Sequence, residues 1–189
     1  MGGPRRGVSL IELMISIGVL VLGLLGIVSV IAQTTRLNAV DRETLAARRS
    51  AERMIESMIS FHWKDLFKHY TANANDAYTN AANVSAVAHG PDFEVEKNDA
   101  GLQVLAPRPG DPDGKCGKIL FPSVGTELRE LGSGAFLETG QDLDLNGNGV
   151  IDGGDVSSRY ALLPVKIVIE WQGVHGPRSL TFHHLFMER

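Results

Sequence analysis

Residues 7–32 read GVSLIELMISIGVLVLGLLGIVSVIA, and from Leu13 onward twenty consecutive positions carry no charge. As a helix, twenty residues span about 30 Å, the hydrocarbon thickness of a bilayer. Arg5 and Arg6 precede the run, and basic residues ahead of an apolar segment hold that end in the cytoplasm. The rest of the chain is therefore expected outside it. A secretory signal peptide cut after Ala32 is the competing reading, with Val30, Ile31 and Ala32 as its cleavage site. Two features oppose it: the run exceeds an ordinary signal core, and Glu12 stands at its head. An ionised group at a membrane boundary is costly unless paired, so Glu12 calls for a functional account.

Working outward, 189 residues accommodate one membrane element and one small domain. Eighteen Lys and Arg against 22 Asp and Glu give a net charge of -4, which offers no basic face for nucleic acid. Cys116 is the single cysteine, so there is no intramolecular disulfide and no Cys-rich zinc site. Beyond Ala32 the apolar residues Leu37, Val40, Ala47, Ala51, Met54, Ile55 and Met58 recur at helical spacing, with charged residues mostly between them. The spacing predicts one helix from Ser9 to about Ile59, on the order of 75 Å long. Gly18, Gly23 and Gly26 fall in its apolar half, where glycine permits close helix approach or a bend. The aromatic stretch 60–70 that closes this segment is expected to seal the core of the following domain.

The chemistry at the start of the run has a family counterpart. Gly7, Val8, Ser9, Leu10, Ile11 and Glu12 resemble the prepilin motif of type IV pilins and type II secretion pseudopilins. The resemblance implies that residues 1–7 are a leader removed by prepilin peptidase between Gly7 and Val8, with methylation of the new amino terminus. Val8 stands where the family usually has Phe. It further implies that Glu12, fifth in the mature chain, pairs with a neighbouring subunit's amino terminus and sets register in a filament. A carboxylate in a low-dielectric bundle needs such a partner. The expected organisation is α+β, a type IV pilin fold with a long spine helix against a small antiparallel sheet. Residues 8–32 form its membrane and assembly half, 33–70 its amphipathic half and 71–189 a head outside the cytoplasm. The Gly23 to Gly26 run, the Arg-rich helix and the terminal strand pair resemble PilV-type minor pilins and I-type minor pseudopilins. Other pilin or pseudopilin subunits, prepilin peptidase and the inner membrane are then the expected partners, and a pilus or pseudopilus the destination.

In the head, residues 71–90 are rich in Ala and Asn and read as an irregular connection. Strands are expected at 92–96, 102–105 and 118–121. Residues 164–172 and 178–186 alternate around a Gly-containing loop, which predicts a hairpin with Val165, Ile167, Ile169 and Trp171 on one face toward the helix. Gly132, Ser133 and Gly134 read as a turn, and Cys116 as a free thiol in a loop.

Residues 144–155, DLNGNGVIDGGD, place oxygen side chains at loop positions 1, 3, 5, 9 and 12, with Gly149 at the sharp turn of position 6, as EF-hand loops do. They resemble the calcium loop of dockerin repeats. That likeness implies Ca2+ ligands from Asp144, Asn146, Asn148, Asp152 and Asp155, directly or through water, and from the Val150 carbonyl. Asn148 replaces the usual Asp, and Pro164 leaves little room for an exiting helix. A turn rich in Asp, Asn and Gly also forms without metal. The cation's expected role is structural, because the carboxylates at 144, 152 and 155 repel one another in an empty closed loop. His62 and His69 lack a carboxylate at ligand spacing, His183 and His184 point to opposite faces of a strand, and no catalytic motif occurs. The expected role is a non-enzymatic filament subunit. The alternative is a single-pass anchored calcium-binding module outside the cytoplasm that joins no filament.

Overall fold

A computed structural model describes residues 9–71, 77–79, 85–87, 91–97, 104–111 and 114–188. The chain divides into two compact units, one ending at Arg42 and the other Glu43–Arg189. One 50-residue helix, α1 (Leu10–Ile59), contributes to both. Among the described residues of the first unit it is the one element, and its apolar side chains from Leu10 to Ile31 are exposed. The helix is long and apolar enough to cross a membrane, as the charge-free run predicts.

The second unit begins with residues 43–59 of α1. There Ala46, Ala47, Ser50, Ala51 and Met58 are buried, at the three- and four-residue spacing of one helical face. The expected amphipathic segment 33–70 is divided: the chain leaves the helix at residues 60–62 and starts α2 (Trp63–Thr71). This break lets Leu66, Phe67 and Tyr70 enter the core. Tyr160 fixes α2 in place, donating to the Trp63 carbonyl at 2.5 Å and accepting from the Phe67 N–H at 3.3 Å. The aromatics thus close the core, as expected.

Among the described residues eight strands follow: β1 (Ala77–Thr79), β2 (Ser85–Val87), β3 (Asp92–Phe93), β4 (Gly117–Leu120), β5 (Ser123–Val124), β6 (Glu127–Leu128), β7 (Leu162–Gly173) and β8 (Gly176–Met187), with the one-turn helix α3 (Ser133–Phe136) after β6. The principal sheet is antiparallel, in the order β3-β4-β7-β8. Val165, Ile167, Ile169 and Trp171 alternate into the core along β7 as predicted.

The differences from expectation have local causes. The hairpin turns on Val174 and His175 alone, since Gly173 pairs with Gly176, so both strands are longer than alternation alone suggests. The strand expected at 92–96 shortens to two residues; of 102–105, only Val104 and Leu105 are described and neither is in a strand, although Val104 donates to the Glu96 carbonyl and the next residue, Ala106, bridges Gln172. Residues 71–90 contain the β1-β2 pair instead of an irregular connection throughout. Gly132 precedes α3, so the expected turn at 132–134 is the start of a helical turn. Cys116, expected as a thiol in a loop, is buried, with its thiol directed at the Leu105 carbonyl.

Candidate functional site

Two regions carry the residues singled out in the sequence. Gly7 and Val8 lie outside the described residues. Glu12 lies in the first turn of α1 and is exposed, where a negative charge also complements the positive end of the helix dipole. Ser16 donates to the Glu12 carbonyl at 2.7 Å, and Thr34 and Thr35 donate to the Val30 and Ile31 carbonyls. These hydroxyls are therefore satisfied within the helix. At Gly18, Gly23 and Gly26 a Cβ would meet nothing within 4 Å. Among the described residues no contact requires glycine there.

The second region is loop 144–155. Asp144 Oδ1 accepts the N–H groups of Gly147 (2.7 Å) and Asn148 (3.2 Å), and Oδ2 accepts that of Gly149 (2.7 Å). Gly149, at φ 83°, occupies the left-handed region the expected sharp turn demands. Asn146 and Asn148 each accept the N–H two residues on, at Asn148 and Val150, and Asp152 does the same at Gly154. The result is a series of Asx turns. Hydrogen bonds from the N–H groups, that of Gly149 foremost, hold the Asp144 carboxyl below its ordinary range.

Asp155 binds differently. Its Oδ1 accepts the Leu128 and Ser157 N–H groups, and its Oδ2 accepts the Ser157 hydroxyl. Burial pushes this carboxyl up, but the hydrogen bonds from Ser157 and Leu128 outweigh it and leave it lowered. Val156 also donates to the Leu128 carbonyl at 2.9 Å, so the end of the loop is tied to β6.

The residue that organises the loop was not apparent from the motif. Glu130 is fully buried. Its Oε1 accepts the Leu145 and Asn146 N–H groups at 3.0 and 3.1 Å, and its Oε2 accepts that of Asp152 at 3.0 Å. One carboxylate thus bridges both sides of the loop from within. Its only signal in the sequence is position: two residues after the inward Leu128, it shares that inward face.

Among the described residues, no three His, Cys, Asp or Glu side chains are grouped to hold a metal ion. The loop's other oxygens belong to Asn146, Asn148 and the Val150 carbonyl, ligand types outside that grouping. All are hard donors suited to calcium rather than to a soft metal. Compared with protein-family models, with curated proteins and with solved structures, the chain matches none.

Proposed function

We propose that this chain is a minor pilin or minor pseudopilin subunit, processed between Gly7 and Val8 and assembled through the first half of α1 into a type IV pilus or type II secretion pseudopilus. The observation that carries the reading is the exposure of α1 from Leu10 to Ile31 directly behind the Gly7 to Glu12 motif. An apolar surface of this extent needs lipid or other helices around it. In the inner membrane lipid covers it; in a filament neighbouring helices do. Glu12 then takes a positive amino terminus as partner, and the glycines with open space beside them admit close helix approach. The role is non-enzymatic, and the head outside the cytoplasm is what the filament presents.

Loop 144–155 fits Ca2+ as a structural ion, with the side-chain oxygens of Asp144, Asn146, Asn148 and Asp152 and the Val150 carbonyl as ligands. Asp155 fits less well, because its oxygens accept hydrogen bonds from Leu128 and Ser157, outside the loop, whereas those of the other four accept from amides within it. The ion would supply charge neutralisation.

The test is intact mass and amino-terminal sequencing of the protein from native membranes. A start at Val8, with or without a methyl group, supports the subunit reading. A start at Gln33 or at Met1 overturns it; an intact Met1 leaves a single-pass anchored module that does not enter filaments.

A further inference from the structure

Among the described residues the principal sheet ends on β8, a 12-residue strand with β7 on one side only. The ladder shows which backbone groups face outward. Glu170 and Gln172 donate to the Cys116 and Ala106 carbonyls, so the even-numbered residues of β7 face β4 and the odd-numbered ones face β8. Odd positions of β7 pair with even positions of β8, as in Trp171 with Arg178 and Ile167 with Phe182. The N–H and C=O groups of Ser179, Thr181, His183, Leu185 and Met187 therefore point to the free edge. Among the described residues none of them has a backbone partner. Long exposed edges are normally blunted, and here Pro177, at the very start of the strand, is the only proline.

The core also stops short at this edge. Val165, Ile167 and Ile169 on β7 are completely buried, whereas His184, Phe182 and Leu180, opposite them on β8, are half-buried. Beside this face lie two hollows. One, of about 670 Å³, is bordered by Met58, Phe61, Trp63, Lys64 and Phe186 among others. A smaller one, of about 290 Å³, adjoins Trp171 and Leu180. The rim of the larger hollow carries Lys64 and the carboxylate of Glu188, with the imidazoles of His62, 3.6 Å from Asp65, and of His184, whose pKa burial lowers. Lys64 forms no ion pair among the described residues.

We propose that β8 accepts an extended, acidic segment of another polypeptide as a fifth strand. Main-chain hydrogen bonds to the free edge supply the affinity, apolar side chains on alternate residues fill the larger hollow, and a carboxylate meets Lys64. A second copy of β8 suits this edge poorly, since residues 176–187 contain Arg178, His183 and His184 but no carboxylate. The inference does not depend on the filament reading, because any chain offering such a segment satisfies it.

The test uses the full chain in detergent micelles and a synthetic peptide of about eight residues, in which valine alternates with threonine and glutamate. Binding of the peptide is expected to slow amide exchange at Thr181, His183 and Leu185 by about tenfold or more. A peptide N-methylated at the ladder-forming amides is expected not to bind. Thr181→Pro removes an edge N–H that β7 does not use, so it is expected to abolish binding without lowering the melting temperature. Lys64→Glu is expected to shift preference about fivefold toward a lysine-bearing peptide. Absence of protection with the acidic peptide, equal binding of the N-methylated one, or protection arising from self-association without peptide would each overturn the proposal. The N-methylated peptide tests the wild-type chain, so the result does not depend on whether the proline variant folds.

Discussion

Glu43 Oε2 accepts the indole Nε1–H of Trp171 at 3.1 Å, a bond between residues 128 positions apart that joins α1 to β7. The same carboxylate accepts the Val174 N–H at 3.1 Å and lies 4.0 Å from the Arg178 guanidinium. One helical side chain therefore holds the tip of the terminal hairpin. Glu43→Ala leaves the Val174 and indole donors without this acceptor and is expected to cost about 1.5–3 kcal/mol, as for hydrogen bonds to charged groups. Glu43→Gln is expected to retain part of that. A Cβ at Gly173 would stand 2.6 Å from Glu43 Oε2, so Gly173→Ala should also destabilise. Urea unfolding of the full chain in detergent, followed by near-ultraviolet circular dichroism, measures all three; an Ala variant as stable as wild type would remove the latch from the account.

Glu130→Ala removes the acceptor of three N–H groups at once. With one to three kcal/mol for each unsatisfied buried group, partly relieved by water, the expected loss is about 3 kcal/mol. In a chain of this length that lowers the melting temperature by about 6–12 °C. Glu130→Gln keeps one carbonyl acceptor and should fall between the two. A melting temperature unchanged in the Ala variant would show that the loop does not depend on this carboxylate.

Alternation made β7 legible because its buried face repeats every second residue, and the charge-free run made the first half of α1 legible by length alone. Glu130 was not legible in the same way. A glutamate in the sequence LREL reads as surface charge until the loop it serves, fifteen residues on at Leu145, is seen folded over it. The end of α1 at Ile59 was legible from the spacing, but the second helix behind it was not, since Tyr160, which holds α2, lies ninety-seven positions from Trp63.

Tyr160 makes an alkaline prediction. Burial, chiefly, raises its phenol from 10.0 to about 12. A group whose folded pKa is raised contributes stability that is full below its unfolded pKa and is lost as pH rises through the folded value. Wild type should therefore weaken between pH 10 and about pH 12. Tyr160→Phe should lose this component while starting from lower stability, having given up the bonds to Trp63 and Phe67. Identical alkaline profiles for the two proteins would contradict the assignment.

The carboxyls of Asp144 and Asp155 predict the opposite behaviour at low pH. Both are lowered from 3.8, so their contribution is present above that value and lost as pH falls through their folded pKa values. Protonating Asp144 weakens its hold on the Gly147, Asn148 and Gly149 amides. Hydrogen exchange corrected for intrinsic rate should show these amides losing protection below about pH 3.8, while the Ile167 amide in β7 stays protected. Calcium at millimolar concentration, if bound as proposed, should move that loss to lower pH. An unchanged profile with calcium would count against the ion, and simultaneous loss at Ile167 would show that the loop does not open independently.

Glu12→Ala separates anchoring from assembly. The substitution removes a charge from the first turn of α1 without shortening the apolar run, so insertion in the membrane and cleavage after Gly7 should proceed as in wild type. Incorporation into filaments should fall, because the neighbouring amino terminus would lose the carboxylate proposed to compensate it in a low-dielectric bundle. Glu12→Gln should behave like Ala if charge is the requirement, and like wild type if a hydrogen bond suffices. The measurement is the ratio of variant to other subunits in sheared filaments, with membrane-fraction abundance as the control. Equal incorporation of the Ala variant would exclude Glu12 from setting register and leave helix packing alone to hold the subunit in place.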